Sequence, residues 1–351
     1  MTALSCLPLP RVSVIIPAYN AEVWLERTVN SVLAQSDRDF EIIIVDDGSS
    51  DRTVEIATEL SQRDGRIVIL QQSNSGVAAA RNFGIANARG EFIAPLDADD
   101  IWYPQHLEKQ VKRLSQSDSS VGLVYSWSVD INENDSPLGP FHASTIEGDV
   151  YKTLICHNFL GNASATLIRR SCLERVGGYN SDLKVQNAQG CEDWDLYLRI
   201  AEKYRFCVVP EFTVGYRKIA SSMSRDYQKM ARSHRLMLQA TRQNRPDIPL
   251  LLHRLSCSSF YLYLARQSHH DRDPEQTIFW LLEALKADFI TPLGRYGWYS
   301  LLLQSLWQIL TGRQSARPTQ PLKVSEARQS KLSIYFKLLV GKVLHYSLSA
   351  I

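Results

Sequence analysis

The period of the hydrophobic pattern switches repeatedly along the first 220 residues. Residues 12–16 are an apolar, β-branched run ending at Pro17, which cannot continue a central strand, so a strand is predicted there. Leu25, Val29, Val32 and Leu33 then recur at helical spacing. Residues 42–45 predict a second strand, and Val54, Ala57 and Leu60 a second helix with Asp51 or Thr53 as N-cap. Residues 67–70 predict a third strand. Gly76 permits a tight turn into a helix carrying Ala80, Arg81 and Gly84, and residues 92–96 predict a fourth strand. Pro104 suits the first turn of a helix with Leu107, Val111 and Leu114 on one face, and residues 121–129 read as a fifth strand. Strands joined through helices predict parallel pairing in a sheet covered on both faces.

Residues 130–149 are polar, rich in turn formers, and read as a long loop or mobile flap. Residues 163–168 predict a strand, Gly177-Gly178 closes a short helix, and the stretch to Gly190 reads as loop. A helix opens at Glu192-Asp193, and residues 205–209 and 212–216 predict two strands. Beyond about Ser221 the leucines sit in helical surroundings, and residues 277–287 are strongly periodic. Residues 300–310 are apolar but short and broken by glutamines, which fits a buried or interfacial helix better than a membrane span. Residues 332–348 read as a basic amphipathic helix. The expected organisation is an α/β domain over residues 10–220, a helical region over 221–311, and a basic linker and tail over 312–351.

Composition changes this picture at the C-terminus. Hydrophobic residues at 44% and charged residues at 22% of 351 describe a globular chain. The net charge of +2 hides seven basic residues after Gly312 (Arg313, Arg317, Lys323, Arg328, Lys331, Lys337, Lys342) against Glu326. Such a tail suits an anionic membrane surface or nucleic acid, or is simply solvated. The six cysteines show no C-x-x-C or metal-ligand spacing and read as reduced thiols. The first six residues lack a basic start followed by an apolar core, so no signal peptide is expected. The expected location is cytoplasmic, peripheral on the inner face of the membrane.

The candidate chemistry lies in two acidic clusters, each just after an apolar strand: Asp46-Asp47-Gly48-Ser49-Ser50-Asp51, and Asp97-Ala98-Asp99-Asp100. Carboxylates are costly in a core and are expected at the crevice where an open α/β sheet binds ligands. With a third acidic pair, Glu192-Asp193, they suggest a site for a divalent metal and a phosphorylated ligand. On an extended segment Asp97 and Asp99 would face the same side, and hard oxygen ligands suit Mg²⁺ or Mn²⁺. An ionised Asp47 only accepts hydrogen bonds, so it could read a base through an imide N–H. Each cluster also has a plainer reading: a strand-ending turn for Asp46-Asp47-Gly48, and acids partnering a helix dipole for Glu192-Asp193.

Residues 12–20 (VSVIIPAYN), 45–51 (VDDGSSD), 74–82 (NSGVAAARN), 97–100 (DADD) and 192–195 (EDWD) occur in this order. The series resembles glycosyltransferase family 2, inverting nucleotide-sugar enzymes with the GT-A fold: a Rossmann-like, mostly parallel sheet flanked by helices. The resemblance covers roughly residues 10–220 and leaves the helical C-terminal region outside it. It implies a nucleotide-sugar donor, UDP favoured, and a glycan or lipid-linked saccharide acceptor, with no nucleic acid as partner. Pro17, Ala18 and Tyr19 would wall the nucleotide pocket with Glu22 close by, Asp47 would contact the base, and Arg81 would face the crevice unless it forms a surface salt bridge. Asp99 would bind the metal, with Asp97 at the ribose or a metal-bound water. Asp193 would be the general base and Glu192 the fallback, while Trp194 would stack on a sugar or fill the core. Asp100 would bind or merely cap a turn. Residues 130–149 and 183–190 would carry acceptor choice. Many relatives place a histidine after Tyr216-Arg217; here the residue is Lys218, so Lys218 or Arg217 would substitute by charge. A nucleotide-sugar-binding module without catalysis and a glycoside hydrolase with paired carboxylates are the alternatives.

Overall fold

The computed structural model describes residues 9–219 and 225–311; Cys6, the basic tail and the expected helix over 332–348 lie outside them. Among the described residues, nine strands form one sheet: β1 (Val12–Ala18), β2 (Phe40–Asp46), β3 (Ile67–Gln71), β4 (Phe92–Pro95), β5 (Ile101–Trp102), β6 (Val121–Ile131), β7 (Pro137–His142), β8 (Thr166–Arg169) and β9 (Arg205–Arg217). The helices are α1 (Leu25–Leu33), α2 (Thr53–Arg63), α3 (Val77–Asn87), α4 (His106–Ser115), α5 (Tyr151–Cys156), α6 (Arg170–Val176), α7 (Asp182–Val185), α8 (Glu192–Ala201), α9 (Tyr227–Asn244), α10 (Leu250–His270), α11 (Pro274–Ala287), α12 (Ile290–Leu293) and α13 (Tyr296–Thr311). The sheet order is β3-β2-β1-β4-β8-β6-β9-β5, with β7 paired to β6.

β1 to β4 pair in parallel, as strand–helix alternation predicts. The rule lapses afterwards. β8, reached through α5 and a 3₁₀ turn at Ala163–Ala165, pairs antiparallel with β4 and β6. β6 and β9 are parallel, and the short β5 runs antiparallel to β9. The sheet is therefore mixed.

Three local expectations change. Residues 130–149 are not one long loop: β6 continues to Ile131 and returns as β7, pairing Ile131 with Pro137 and Ser128 with His142. The turn formers make the hairpin turn there, with Asp135 at φ 61°. The two strands expected at 205–216 are one, β9, with its register against β6 shifted between Ser126 and Trp127. β1 also runs through Pro17, which pairs with Val45. The ladder to β4 has already ended at Ile15 and Pro95, so the missing Pro17 N–H leaves no bond unmade.

Two cores cover the sheet, divided by the two-residue period of the strands. Val14, Ile16, Ile42 and Ile44 pack with Leu25 and Val29 of α1, Leu60 of α2 and Leu107 of α4. Ile15, Ile43 and Val45 pack on the other face with Ala80 of α3 and Leu196 of α8. This second core runs on without a break into Leu252 and Phe260 of α10, Trp280 and Leu281 of α11, and Trp298 of α13. The described residues 225–311 carry helices and no strand, and these helices share the core of the sheet's second face. The expected division at 220/221 falls at residues outside those described.

Candidate active site

Turn chemistry presents the first acidic cluster. Gly48 sits at φ 78°, and a Cβ there would come within 2.8 Å of the Asn74 amide nitrogen. Asp46 is buried and accepts from the Ser49 N–H. Asp51 accepts from the Thr53 N–H, but the N-cap of α2 is Arg52, not Asp51 or Thr53 as expected, and it makes no side-chain cap bond. Asp47 is 4% exposed. Its Oδ1 accepts from Gln72 Nε2 and the Ser75 N–H, both at 2.7 Å, and its Oδ2 from the Gly76 N–H at 2.8 Å. The carboxylate thus fixes the loop that starts α3, and a base contact would use only the remaining acceptor capacity of Oδ2. Pro17 and Ala18 are buried beside it, with the Asp47 N–H donating to the Ala18 carbonyl, while Tyr19 is exposed. Glu22 is exposed and accepts from the Arg52 N–H.

Arg81 joins the other acids. It lies one turn into α3, 3% exposed, and so is no surface salt bridge. Nη1 donates to Asp193 at 2.6 Å and Nη2 to Asp97 at 2.5 Å. The Tyr179 ring lies 5.0 Å from the guanidinium. A chain separation of 112 residues is thereby closed between α3 and α8. Burial works against the Arg81 charge, but Asp193 and Asp97 outweigh it and hold its pKa well above the usual value. Burial lifts Asp193 above the ordinary carboxylate range, with Asp97 and Glu192 adding to the rise and Arg81 opposing it.

Asp97 to Asp100 form a turn, not the extended segment expected, closed by the Asp100 N–H donating to the Asp97 carbonyl. The turn still crowds the carboxylates: burial and the neighbouring Asp97 push Asp99 up to about 7. Asp100 neither caps nor faces the crevice. It is fully buried, accepting from Ser164 Oγ at 2.5 Å and the Arg217 N–H at 2.8 Å. Among the described residues no three His, Cys, Asp or Glu side chains surround a common point. Asp97 and Asp99 therefore offer a two-residue oxygen set. That fits Mg²⁺ or Mn²⁺, which take remaining ligands from substrate phosphates and water.

Positive charge reaches Asp99 from Lys218 and, ahead of it, from Arg217. The Arg217 guanidinium donates to the Asp99 and Asn132 carbonyls, both at 2.6 Å, pairs with Asp135 at 2.5 Å, and stacks 4.5 Å from the Trp24 ring. It locks the acidic turn to the β6–β7 hairpin. Lys218 is one-third exposed, with Nζ 3.9 Å from Asp130 and 4.3 Å from the Tyr216 ring centroid, and its charge acts on Asp99.

Glu192 Oε2 accepts from the Gly190 N–H, while Oε1 is buried with no partner among the described residues. Arg81 Nε and the Tyr179 hydroxyl are likewise buried and unpartnered. Buried polar atoms without partners are costly, so each would gain from a bond to water or a ligand. Trp194 fills the core: its Nε1 donates to the Leu154 carbonyl and its ring packs 5.0 Å from His234 and 5.9 Å from Phe260. Asp195 is spent on Arg199 at 2.8 Å. Ser164, Tyr179 and Ser233, whose Oγ accepts from the Cys191 N–H at 3.1 Å, have no motif in the sequence to announce them. The stretch expected as loop before Gly190 contains α7, and it packs on the start of α3: Lys184 Nζ donates to the Asn74 carbonyl at 2.7 Å, and a Cβ on Gly76, at φ 91°, would meet Lys184 Cδ at 2.7 Å.

Parallel strands that end in acidic turns, with a buried guanidinium bridging them to a helix-borne acid, define a GT-A type glycosyltransferase fold. Residues 13–177 match the family model described as Glycosyl transferase family 2. The chain is 33% identical over 227 residues to the putative teichuronic acid biosynthesis glycosyltransferase TuaG of Bacillus subtilis, a match covering 64% of this chain and 85% of TuaG. This chain belongs to glycosyltransferase family 2. Other relatives are longer: it spans only 30% of the length of uncharacterized glycosyltransferases from Rickettsia felis and Rickettsia conorii, each 34% identical to it over 55% of this chain. The fold is also that of mannosyltransferase PcManGT from Pyrobaculum calidifontis, solved with GDP-Man and Mn²⁺ (TM-score 0.54, 20% identity, 87% of this chain and 88% of that one). S. aureus TarS 1–349, solved with UDP-GlcNAc, gives a TM-score of 0.52 at 17% identity over 79% of this chain and 91% of that one.

Proposed function

We propose that the chain is an inverting glycosyltransferase that moves one sugar from a nucleotide diphosphate sugar, UDP favoured, to a hydroxyl of a glycan or lipid-linked saccharide. The observation that supports this reading is the Arg81 bridge, in which one guanidinium bonds both Asp97 of the acidic turn and the helix-borne Asp193. Asp193 takes the proton of the attacking hydroxyl. Its pKa, pushed up to about 7, makes it a stronger base than an ordinary carboxylate, half ionised near neutral pH and ionised above it. Arg81 orients Asp193 before substrate arrives, and Glu192 Oε1 accepts from a sugar hydroxyl beside it. Asp47 shapes the base pocket with Pro17, Ala18 and Tyr19, while Glu22 braces the loop behind them. Asp99, with Asp97, would hold Mg²⁺ or Mn²⁺, whose charge offsets that of the departing diphosphate. Lys218 adds positive charge there in place of a histidine. An anionic membrane surface is a further partner, through the basic residues 312–351.

The test pairs two measurements. Thermal shifts with UDP-, GDP- and dTDP-sugars, with and without Mn²⁺, identify the donor. Metal-dependent release of nucleotide diphosphate then separates transfer from mere binding. Stabilisation without turnover on any acceptor would leave a binding module, and metal-independent sugar release from a glycan would leave a hydrolase.

A further inference from the structure

α13 reverses the usual arrangement of a surface helix. Its sixteen residues, Tyr296–Thr311, include no charged side chain. Trp298, Leu301, Leu302 and Ser305 pack inward against the helical layer. The opposite stripe, spaced three or four residues apart, is apolar and exposed: Leu303 at 66%, Trp307 at 63% and Leu310 at 81%. Ile290 and Leu293 of α12 and Phe289 before it continue the exposed hydrocarbon. Single exposed leucines need no explanation, but a contiguous row of this kind marks a docking surface.

We infer that the exposed face of α12 and α13 docks on an anionic lipid bilayer, lying in the plane of the headgroups. The inference rests on the reading of a membrane as partner and gives it a surface among the described residues. Charge complementarity selects the occupant. Between Asp288 and Glu326 the chain has no carboxylate, while Arg295 and Arg313 bracket α13 at its two ends. Residues 312–351 carry +6, so the rest of the chain holds −4 of the overall +2. Neither a second copy of this face nor the chain's own basic tail offers α13 negative charge; a phosphatidylglycerol-type headgroup layer does. Tyr296, Tyr299 and Trp307 supply amphipathic rings suited to the headgroup level. Among the described residues no helix is long and apolar enough to cross a membrane. A helix with one face fixed in a protein core lies on a bilayer rather than through it.

Sedimentation of the full chain with vesicles tests this. Wild type should pellet with phosphatidylcholine–phosphatidylglycerol vesicles and at least tenfold less with phosphatidylcholine alone. The combined replacement Leu303→Gln, Trp307→Gln and Leu310→Gln should weaken binding at least tenfold and leave the Mn²⁺ and nucleotide thermal shifts unchanged. Those shifts test the catalytic reading separately. Brominated lipid should quench wild-type tryptophan emission more than that of Trp307→Phe, a readout that survives if the triple variant folds poorly. Equal quenching in the two proteins, or undiminished vesicle binding by a folded triple variant, would overturn the inference. So would light scattering that shows a stable dimer broken by the triple variant, with no vesicle binding by wild type.

Discussion

The carboxyl edge of the sheet buries charge, whereas the outer face of α13 exposes hydrocarbon. Arg81 is 3% exposed with two carboxylates on it, and Leu310 is 81% exposed with nothing on it. Both arrangements oppose stability, since ions resist desolvation and apolar surface resists water. Their difference lies in how the protein contains the cost. At the sheet edge, each buried charge has a partner, and Asp47, Asp100 and Arg217 are tied into backbone bonds. At α13 the outer stripe of Leu303, Trp307 and Leu310 stays exposed. Preorganised charge suits a small ligand that must be oriented; a bare apolar stripe suits a broad, fluid surface.

The comparison can be broken most severely at the base. Asp193→Asn should lower nucleotide diphosphate release on the order of 10³-fold with the fold kept, as checked by circular dichroism and initial rates. Retained activity would remove Asp193 from the mechanism. Arg81→Met should destabilise by about 3 kcal/mol in denaturant melts, because Asp97 and Asp193 lose the cation between them. An unchanged melt would mean the charge cluster is not held as described. Within the helical layer, Leu281→Ala removes a fully buried side chain and should cost about 3 kcal/mol. Leu303→Ala, on the exposed stripe, should change stability by less than about 0.5 kcal/mol. Equal losses would show that the stripe is covered.

A further expected effect is a pH dependence. Without a cation, Asp99 in the folded protein keeps its proton up to about 7, against an ordinary 3.8. The folded state therefore binds more protons than the unfolded one across that window. Its stability falls as pH rises from about 4 to 7, by at most about 1.4 kcal/mol per pH unit from this group. A divalent cation binds the ionised form, so the Mn²⁺ thermal shift should grow from pH 6 to pH 8. Asp99→Asn should flatten that trend.

The sequence alone determined the first four strands, their helices and the order of the acidic motifs, because period and turn chemistry are local. It also marked Asp47, Arg81, Asp97, Asp99, Glu192 and Asp193 as residues to examine, through five short motifs rather than any spacing between them. Tertiary structure decided what those residues touch. No local signal says that Asp100 turns inward to Ser164 and Arg217, or that Arg217 grips carbonyls while Lys218 keeps its charge near Asp99. Nor could composition tell that residues 130–149 form a hairpin, since a polar loop and an exposed strand are built from the same residues. The apolar stripe of α13 was visible as hydrophobicity, but only packing shows which side of a helix is buried. Partners more than a hundred residues apart, such as Arg81 and Asp193, meet because one core, on the sheet's second face, holds both α3 and α8.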